Sequence, residues 1–296
     1  MKRLDCWNGD NGEVVIYHGR TLTSKILFED VIKCINDYGF KTSPYPVILS
    51  LDVHADIPGQ EKMAEIMIRV FGDRLLMPDD KMVQWPSPNE LKGKVILKNK
   101  KVPATQQVQE DIIDSDSDSD DEDFAVDLSE KEEKPKKEKH PKVKVAQKLS
   151  DITALGTTKL TNFEDEKMFK LPCNKMFSIS EGRVEKLFQN DCANLIKFGY
   201  NHFSRSYPHG LRFDSSNYDP VPSFITGVQM SALNTQTHCA FFRMNEFKFR
   251  ENAMSGYLLK PEMLRIMGEP YPDENTPVKQ RLSKFFSIYL FTLYRI

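Results

Sequence analysis

Eight side chains that could do chemistry stand at or near the ends of short apolar runs: Asp5, His18, Asp52, Lys98, Lys100, Ser178, Arg205 and Tyr207. They comprise carboxylates, an imidazole, ammoniums, a hydroxyl, a guanidinium and a phenol. Carboxylates at strand ends hold a hard cation through oxygen. A histidine exchanges protons near neutral pH. Lys98, Lys100 and Arg205 suit phosphate, with arginine the better fork. Tyr207 can lie on a ring face. Taken together, the set points to phosphoryl transfer on a polyanionic substrate, with a metal offsetting charge in the transition state. Each residue alone also has a plain structural use. Asp5 could cap a turn, Asp52 could pair with a lysine, His18 could start a turn, and the lysines from 98 to 101 could form a solvated edge. Only their joint placement at strand ends argues for a site.

The elements that would gather them are legible as apolar runs. Val14–Tyr17 runs straight into His18 and reads as a buried strand. Leu4 precedes Asp5 in a stretch too short to be a whole strand. Val47–Leu51 is a second buried strand ending on Asp52 and His54, and Val95–Leu97 is another, ending in Lys98. Met176–Ser180, Asn201–Tyr207 and Thr226–Leu233 complete seven expected strands. Between them, Phe28, Val31, Ile32 and Ile35 mark one face of a helix, with Thr23 or Ser24 as its cap. A second helix is expected over Glu61–Phe71 and a third from Glu181. Strands alternating with helices or long crossovers imply a parallel sheet, either barrel or doubly wound. A repeated polar strand end favours one shared mouth. An eight-stranded barrel would need one more strand, ahead of Met1.

Composition bounds the rest. The 296 residues are 40% hydrophobic and 28% charged, with net charge −2. That is a globular core plus a polar segment, without the global field that binds nucleic acid. Five scattered cysteines with no Cys-x-x-Cys spacing read as reduced, mostly buried thiols. No signal-peptide pattern opens the chain. The apolar stretch Phe285–Ile296 falls short of the roughly 20 residues a spanning helix needs. Glu110–Glu130 holds 11 acids and Lys131–Lys148 holds 8 lysines, so this insert is expected to be disordered. Its Asp-x-Asp-x-Asp spacing lacks the glycine and the glutamate of an EF-hand loop. Its serines are possible acceptors for an acidophilic kinase, and a mere solvated linker is an equal reading.

Several segments carry a family resemblance. Leu4-Asp5-Cys6-Trp7, Ile16-Tyr17-His18-Gly19, Thr23-Ser24-Lys25-Ile26-Leu27, Ser43–Leu51, Pro86-Ser87-Pro88 and Leu91–Lys94 resemble the X half of eukaryotic phosphoinositide-specific phospholipase C. Arg205-Ser206-Tyr207-Pro208, Arg212, Asp214–Tyr218 and Pro220 resemble its Y half. The resemblance implies an α/β fold, a TIM-type (β/α)8 barrel split by the acidic linker, with the first strand missing from this chain. It divides the chain into an X half over 1–101, a linker over 102–148, a Y half over 149–268 and a tail over 269–296 where a C2 domain would begin.

It also implies Ca2+-dependent cleavage of phosphatidylinositol 4,5-bisphosphate to diacylglycerol and inositol trisphosphate. In that chemistry the inositol 2-hydroxyl attacks phosphorus and water opens the cyclic intermediate. His18 would protonate the leaving glycerol oxygen. Asp5 and Asp52 would be calcium ligands, Asp52 also a base. Lys98, Lys100, Ser178 and Arg205 would hold ring phosphates, and Tyr207 would pack on the inositol ring. The protein would be a cytoplasmic monomer, peripheral at the inner membrane surface, with the acidic insert repelling that surface and covering the mouth.

Two departures stand out. A second catalytic histidine with its calcium-binding asparagine would lie upstream of Met1, and Arg3 stands where the family has a glutamate ligand. Two functions follow: an enzyme of which this is the central part, or a non-catalytic phosphoinositide-binding scaffold. An upstream His-Asn pair, and glutamate in place of Arg3, would discriminate them.

Overall fold

The computed structural model describes residues 1–18, 23–79, 81–102, 144–158, 160, 163 and 166–265. Most of the acidic insert and the whole of the apolar tail lie outside these residues. So do the expectations made for them.

The chain opens with strand β1 (Lys2–Asn8), so Asp5 sits in mid-strand and not at a strand end. Only a five-residue link, Gly9–Glu13, built around a turn of 3-10 helix (Asp10–Gly12), separates it from β2 (Val14–Ile16). That link is too short for a parallel crossover, and β2 returns antiparallel, pairing Cys6 with Ile16. The short β3 (Ile26–Leu27) pairs with β2. Helix α1 (Phe28–Tyr38) follows at once, so Leu27 occupies the cap position expected of Thr23 or Ser24. Its inward face is Phe28 and Ile32, flanked by Val31 and Ile35, as the spacing predicts.

β4 (Val47–Val53) runs parallel to β1. Helix α2 (Ile57–Phe71) begins four residues before Glu61, because Asp56 caps it and accepts from the Gly59 amide at 2.9 Å. Pro58 lies in its first turn, where no helical N–H is lost. Gly59 is required there, since a Cβ would meet Asn8 Oδ1 at 2.8 Å. β5 (Val95–Asn99) is buried throughout.

The described chain resumes at Lys144, five residues ahead of Leu149. Ala146 is buried, and its amide donates to Gln60 Oε1 at 2.8 Å. Helix α3 (Gln147–Asp151) leads into β6 (Leu155–Thr158), a strand missed in the sequence. β7 (Lys175–Ser180), α4 (Glu181–Asn190), α5 (Cys192–Phe198) and β8 (Phe203–Tyr207) then alternate. The run from Thr226 to Leu233 is not one strand. Thr226 closes helix α6 (Val221–Ile225) by donating to Pro222 O, Gly227 turns with φ +73°, and only Met230–Ser231 pairs, as β9. Helix α7 (Ala240–Lys248) buries none of its residues.

Among the described residues, nine strands form one sheet in the order β3-β2-β1-β4-β5-β6-β7-β8-β9, parallel from β1 through β9 once the β2–β3 excursion is set aside. Parallel strands joined through helices and crossovers give the α/β architecture expected of a TIM-type barrel. Ile48, Ile96, Leu155 and Met176 pack on the inner face with Phe203 and Met230. The outer face of β1, β4 and β5 packs Leu4, Cys6, Leu49 and Leu97 against Phe28, Met63, Met67 and Leu149. Phe177 and Ile179 do the same against Val184, Leu195 and Phe198. The segment after α7 is tied to the start of β4 by Tyr257, whose hydroxyl donates to Pro46 O at 2.7 Å. All five cysteines are free thiols, but only Cys6 and Cys173 are buried. Burial, with Asp5 and Asp52 nearby, pushes the Cys6 thiol strongly up.

Candidate functional site

Strand register, more than sequence proximity, builds the mouth. Asp5 on β1 pairs with Asp52 on β4, so both carboxylates leave the same face of the sheet on adjacent strands. Ser50 pairs with Lys98 of β5, which puts Lys98 on that face too. Further round, Ser178 of β7 pairs with Arg205 of β8, and Ser180 with Tyr207. Lys98 is fully buried and Arg205 is 8% exposed. The Arg205 guanidinium lies 5.6 Å from the Tyr207 ring. Lys100, one residue past β5, lines a small cleft with Asp52, Asn99 and Lys144. Asp5, Asp52, Lys98, Ser178, Arg205 and Tyr207 thus share the inner face.

His18 stands differently from expectation. It is exposed and lies two residues beyond the antiparallel β2, not at the carboxyl end of a parallel strand. The backbone just ahead of it still returns to β1, where the Tyr17 amide donates to Asp5 O at 3.3 Å. His54 closes in from β4, with Nε2 3.4 Å from Asp52 Oδ2 and its ring stacked 3.9 Å from that of Trp7.

Arg3 dominates the carboxylate corner. Two residues before Asp5 on β1, it shares the same face. Its Nε donates to Asp5 Oδ1 at 2.8 Å and its Nη2 to Asp52 Oδ2. One guanidinium therefore bridges both acids. Ca2+ takes six to eight oxygens. Here two carboxylates offer theirs to a resident cation, and among the described residues no three acidic, histidine or cysteine side chains gather as a metal group. The corner, as built around Arg3, does not fit Ca2+.

The opposite corner has polar atoms to spare. Ser178 Oγ and Thr157 Oγ1 are buried with no hydrogen-bond partner among the described residues. Thr157 belongs to β6 and went unnoticed with that strand. The loop after β8 is fixed by Glu181, the first residue of α4, which accepts from Arg212 Nε and Nη2, both at 2.6 Å, and from the His209 amide. Burial would raise the Glu181 carboxyl, but these donors outweigh it and hold it below the usual range. Asn217 pins the next loop through Asn234 and Thr237, and the buried Tyr218 hydroxyl meets Ser206 Oγ at 2.6 Å. The Asp214–Tyr218 motif is thus architectural.

Among the described residues, no helix is long and apolar enough to cross a membrane. The family model for the X domain of phosphatidylinositol-specific phospholipase C matches residues 3–101, and that for the Y domain matches residues 149–263. The chain is 41% identical over 270 residues to human 1-phosphatidylinositol 4,5-bisphosphate phosphodiesterase delta-1, covering 88% of this chain and 35% of that protein. It is 38% identical over 278 residues to the delta-4 enzyme of Xenopus laevis, covering 92% and 36% respectively. The crystal structure of S. officinalis PLC21 superposes with a TM-score of 0.72 at 31% identity, over 91% of this chain and 33% of that one. The chain thus spans about a third of the length of these relatives.

Proposed function

The chain belongs to the phosphatidylinositol-specific phospholipase C family, and we propose that it hydrolyses phosphatidylinositol 4,5-bisphosphate to inositol trisphosphate and diacylglycerol. The observation that carries this reading is the register that aligns Asp52, Lys98, Ser178, Arg205 and Tyr207 on one inner face. On this reading Lys98, Lys100, Ser178 and Arg205 bind the ring phosphates and Tyr207 packs on the inositol ring. Asp52 takes the proton of the 2-hydroxyl as that oxygen attacks phosphorus. His18 gives a proton to the glycerol oxygen as the P–O bond breaks. Water then opens the cyclic phosphodiester.

The resemblance carries Ca2+ with it, and Asp5 and Asp52 are the residues that would hold the ion. Because Arg3 already bridges them, no step here is routed through the metal. Residues 1–101 and 149–268 form the two catalytic halves, 102–148 the linker and 269–296 a tail. The protein works as a monomer, cytoplasmic and peripheral at the inner membrane surface. Leu211 and Phe213, exposed on the loop after β8, suit contact with that surface.

A second reading, a phosphoinositide-binding scaffold without catalysis, is favoured by one observation. Arg3 donates to Asp52 Oδ2, an oxygen of the carboxylate proposed as the base. The purified chain should release inositol trisphosphate from vesicles, and His18→Ala should lower the rate about 10²- to 10⁴-fold, the usual worth of a general acid. Headgroup binding without release would favour the scaffold.

A further inference from the structure

We infer that Arg3 is the resident cation of the Asp5–Asp52 pair, so that this mouth excludes Ca2+ and takes a polyphosphorylated inositol headgroup without it. The headgroup clause rests on the proposed function. The exclusion of metal does not.

Two carboxylates paired in register on adjacent strands, about 4.8 Å apart, repel unless a positive charge lies between them. A divalent ion is one solution. A guanidinium is another, since its planar fork can serve two carboxylates at once. Arg3 does so, with Nε on Asp5 and Nη2 on Asp52. The acids are the more protected partners, 16% and 21% exposed against 48% for the arginine side chain. An incoming Ca2+ would have to displace both charge-assisted bonds. It would then share the corner with a positive charge tethered two residues away on the same strand. The guanidinium also changes what the mouth offers an anion. Arg3, Lys98 and Arg205 bring three positive charges to a face where Asp5 and Asp52 bring two negative ones. The inner face is net positive with no metal added.

Trp7 supplies a local probe, since its ring stacks on His54, which in turn touches Asp52. Tb3+, a Ca2+ surrogate, luminesces by energy transfer from a nearby aromatic ring, and excitation beyond the tyrosine absorption edge selects the tryptophans. The chain has only Trp7 and Trp85, and Glu110–Glu130 is the same in every variant, so ions held by the acidic insert give a signal that does not change with residue 3. The full chain is titrated with Tb3+ as wild type, Arg3→Gln and Arg3→Glu, with Trp7→Phe in each background as the control. Arg3→Gln keeps the side chain long while removing its charge, so the comparison survives if the glutamate variant folds poorly.

The expected result is no Trp7-dependent signal from wild type. Arg3→Gln should give a measurable one, and Arg3→Glu one tighter than Arg3→Gln by about tenfold or more, both reversed by Ca2+. Equal signals from all three chains, or none from any, overturn the inference. In parallel, binding of inositol trisphosphate by wild type is measured with Ca2+ and with a chelator. Equal affinity in both is expected, and binding only with Ca2+ overturns the inference. No binding under either condition, with the Tb3+ series as expected, sinks the functional reading and leaves the exclusion of metal standing.

Discussion

The two corners of the mouth are built on opposite principles. On β1 and β4, Asp5, Asp52 and Arg3 satisfy one another, and the corner is electrostatically closed by its own residues. On β6 and β7, the Thr157 and Ser178 hydroxyls are buried without partners among the described residues, beside a face carrying Lys98 and Arg205. A buried polar atom left unbonded costs free energy, about 1–3 kcal/mol, that only a ligand or solvent can recover. The first corner therefore describes what the chain does to itself, and the second what it holds in readiness for something else. Binding should accordingly depend on the second corner and tolerate change in the first.

The largest effect expected is at Lys98. Lys98→Met keeps the length of the side chain and removes its charge from a fully buried position. Inositol trisphosphate affinity should fall by roughly ten- to hundredfold, the worth of about 1.5–3 kcal/mol for a hydrogen bond to a charged group. Calorimetric titration checks this, and an unchanged affinity would break the contrast between corners. Next is Glu181→Gln, which weakens the clamp on the loop after β8 and should cost about 2 kcal/mol at neutral pH. Glu181 is held below the ordinary carboxylate range in the folded chain, so its stabilisation is full above the unfolded value near 4.3 and is lost as pH falls through the lower folded value. Urea midpoints of wild type and Glu181→Gln should therefore converge as pH drops below about 4. A constant gap would show that the carboxylate charge is not what holds Arg212.

Continuous apolar runs made β4 and β5 legible, and with them Asp52 and Lys98, because strands buried on both faces need no polar interruption. The face of α1 was legible for the same reason of simple periodicity. β6 was not. Its four residues, Leu155-Gly156-Thr157-Thr158, carry too little apolar pattern, and with it Thr157 was lost. The direction of β2 followed from a five-residue link and could have been read from its length. The pairing of Asp5 with Asp52 depends on the register of strands 47 residues apart, which no local pattern encodes. Arg3 drew notice only through a family resemblance, although its place two residues before Asp5 put it on the same face of any strand. Glu181 was seen as a helix start, but its partner Arg212 lies 31 residues away across a loop.

The smallest effect expected sharpens the comparison most, because its two parts have opposite signs. Ser178→Ala removes a buried hydroxyl that has no partner among the described residues. Deleting an ordinary buried hydrogen-bonding group destabilises a protein, whereas deleting an unsatisfied one relieves a desolvation penalty. The melting temperature of Ser178→Ala should therefore hold or rise. Headgroup affinity should instead fall about fivefold, near 1 kcal/mol, because the hydroxyl then has a phosphate oxygen to meet. Asp5→Asn supplies the mirror case. It breaks an internal pair, so stability should drop while headgroup affinity holds or improves. If Ser178→Ala instead lowers both stability and affinity, the hydroxyl is already satisfied within the folded chain, and the two corners do not differ in kind.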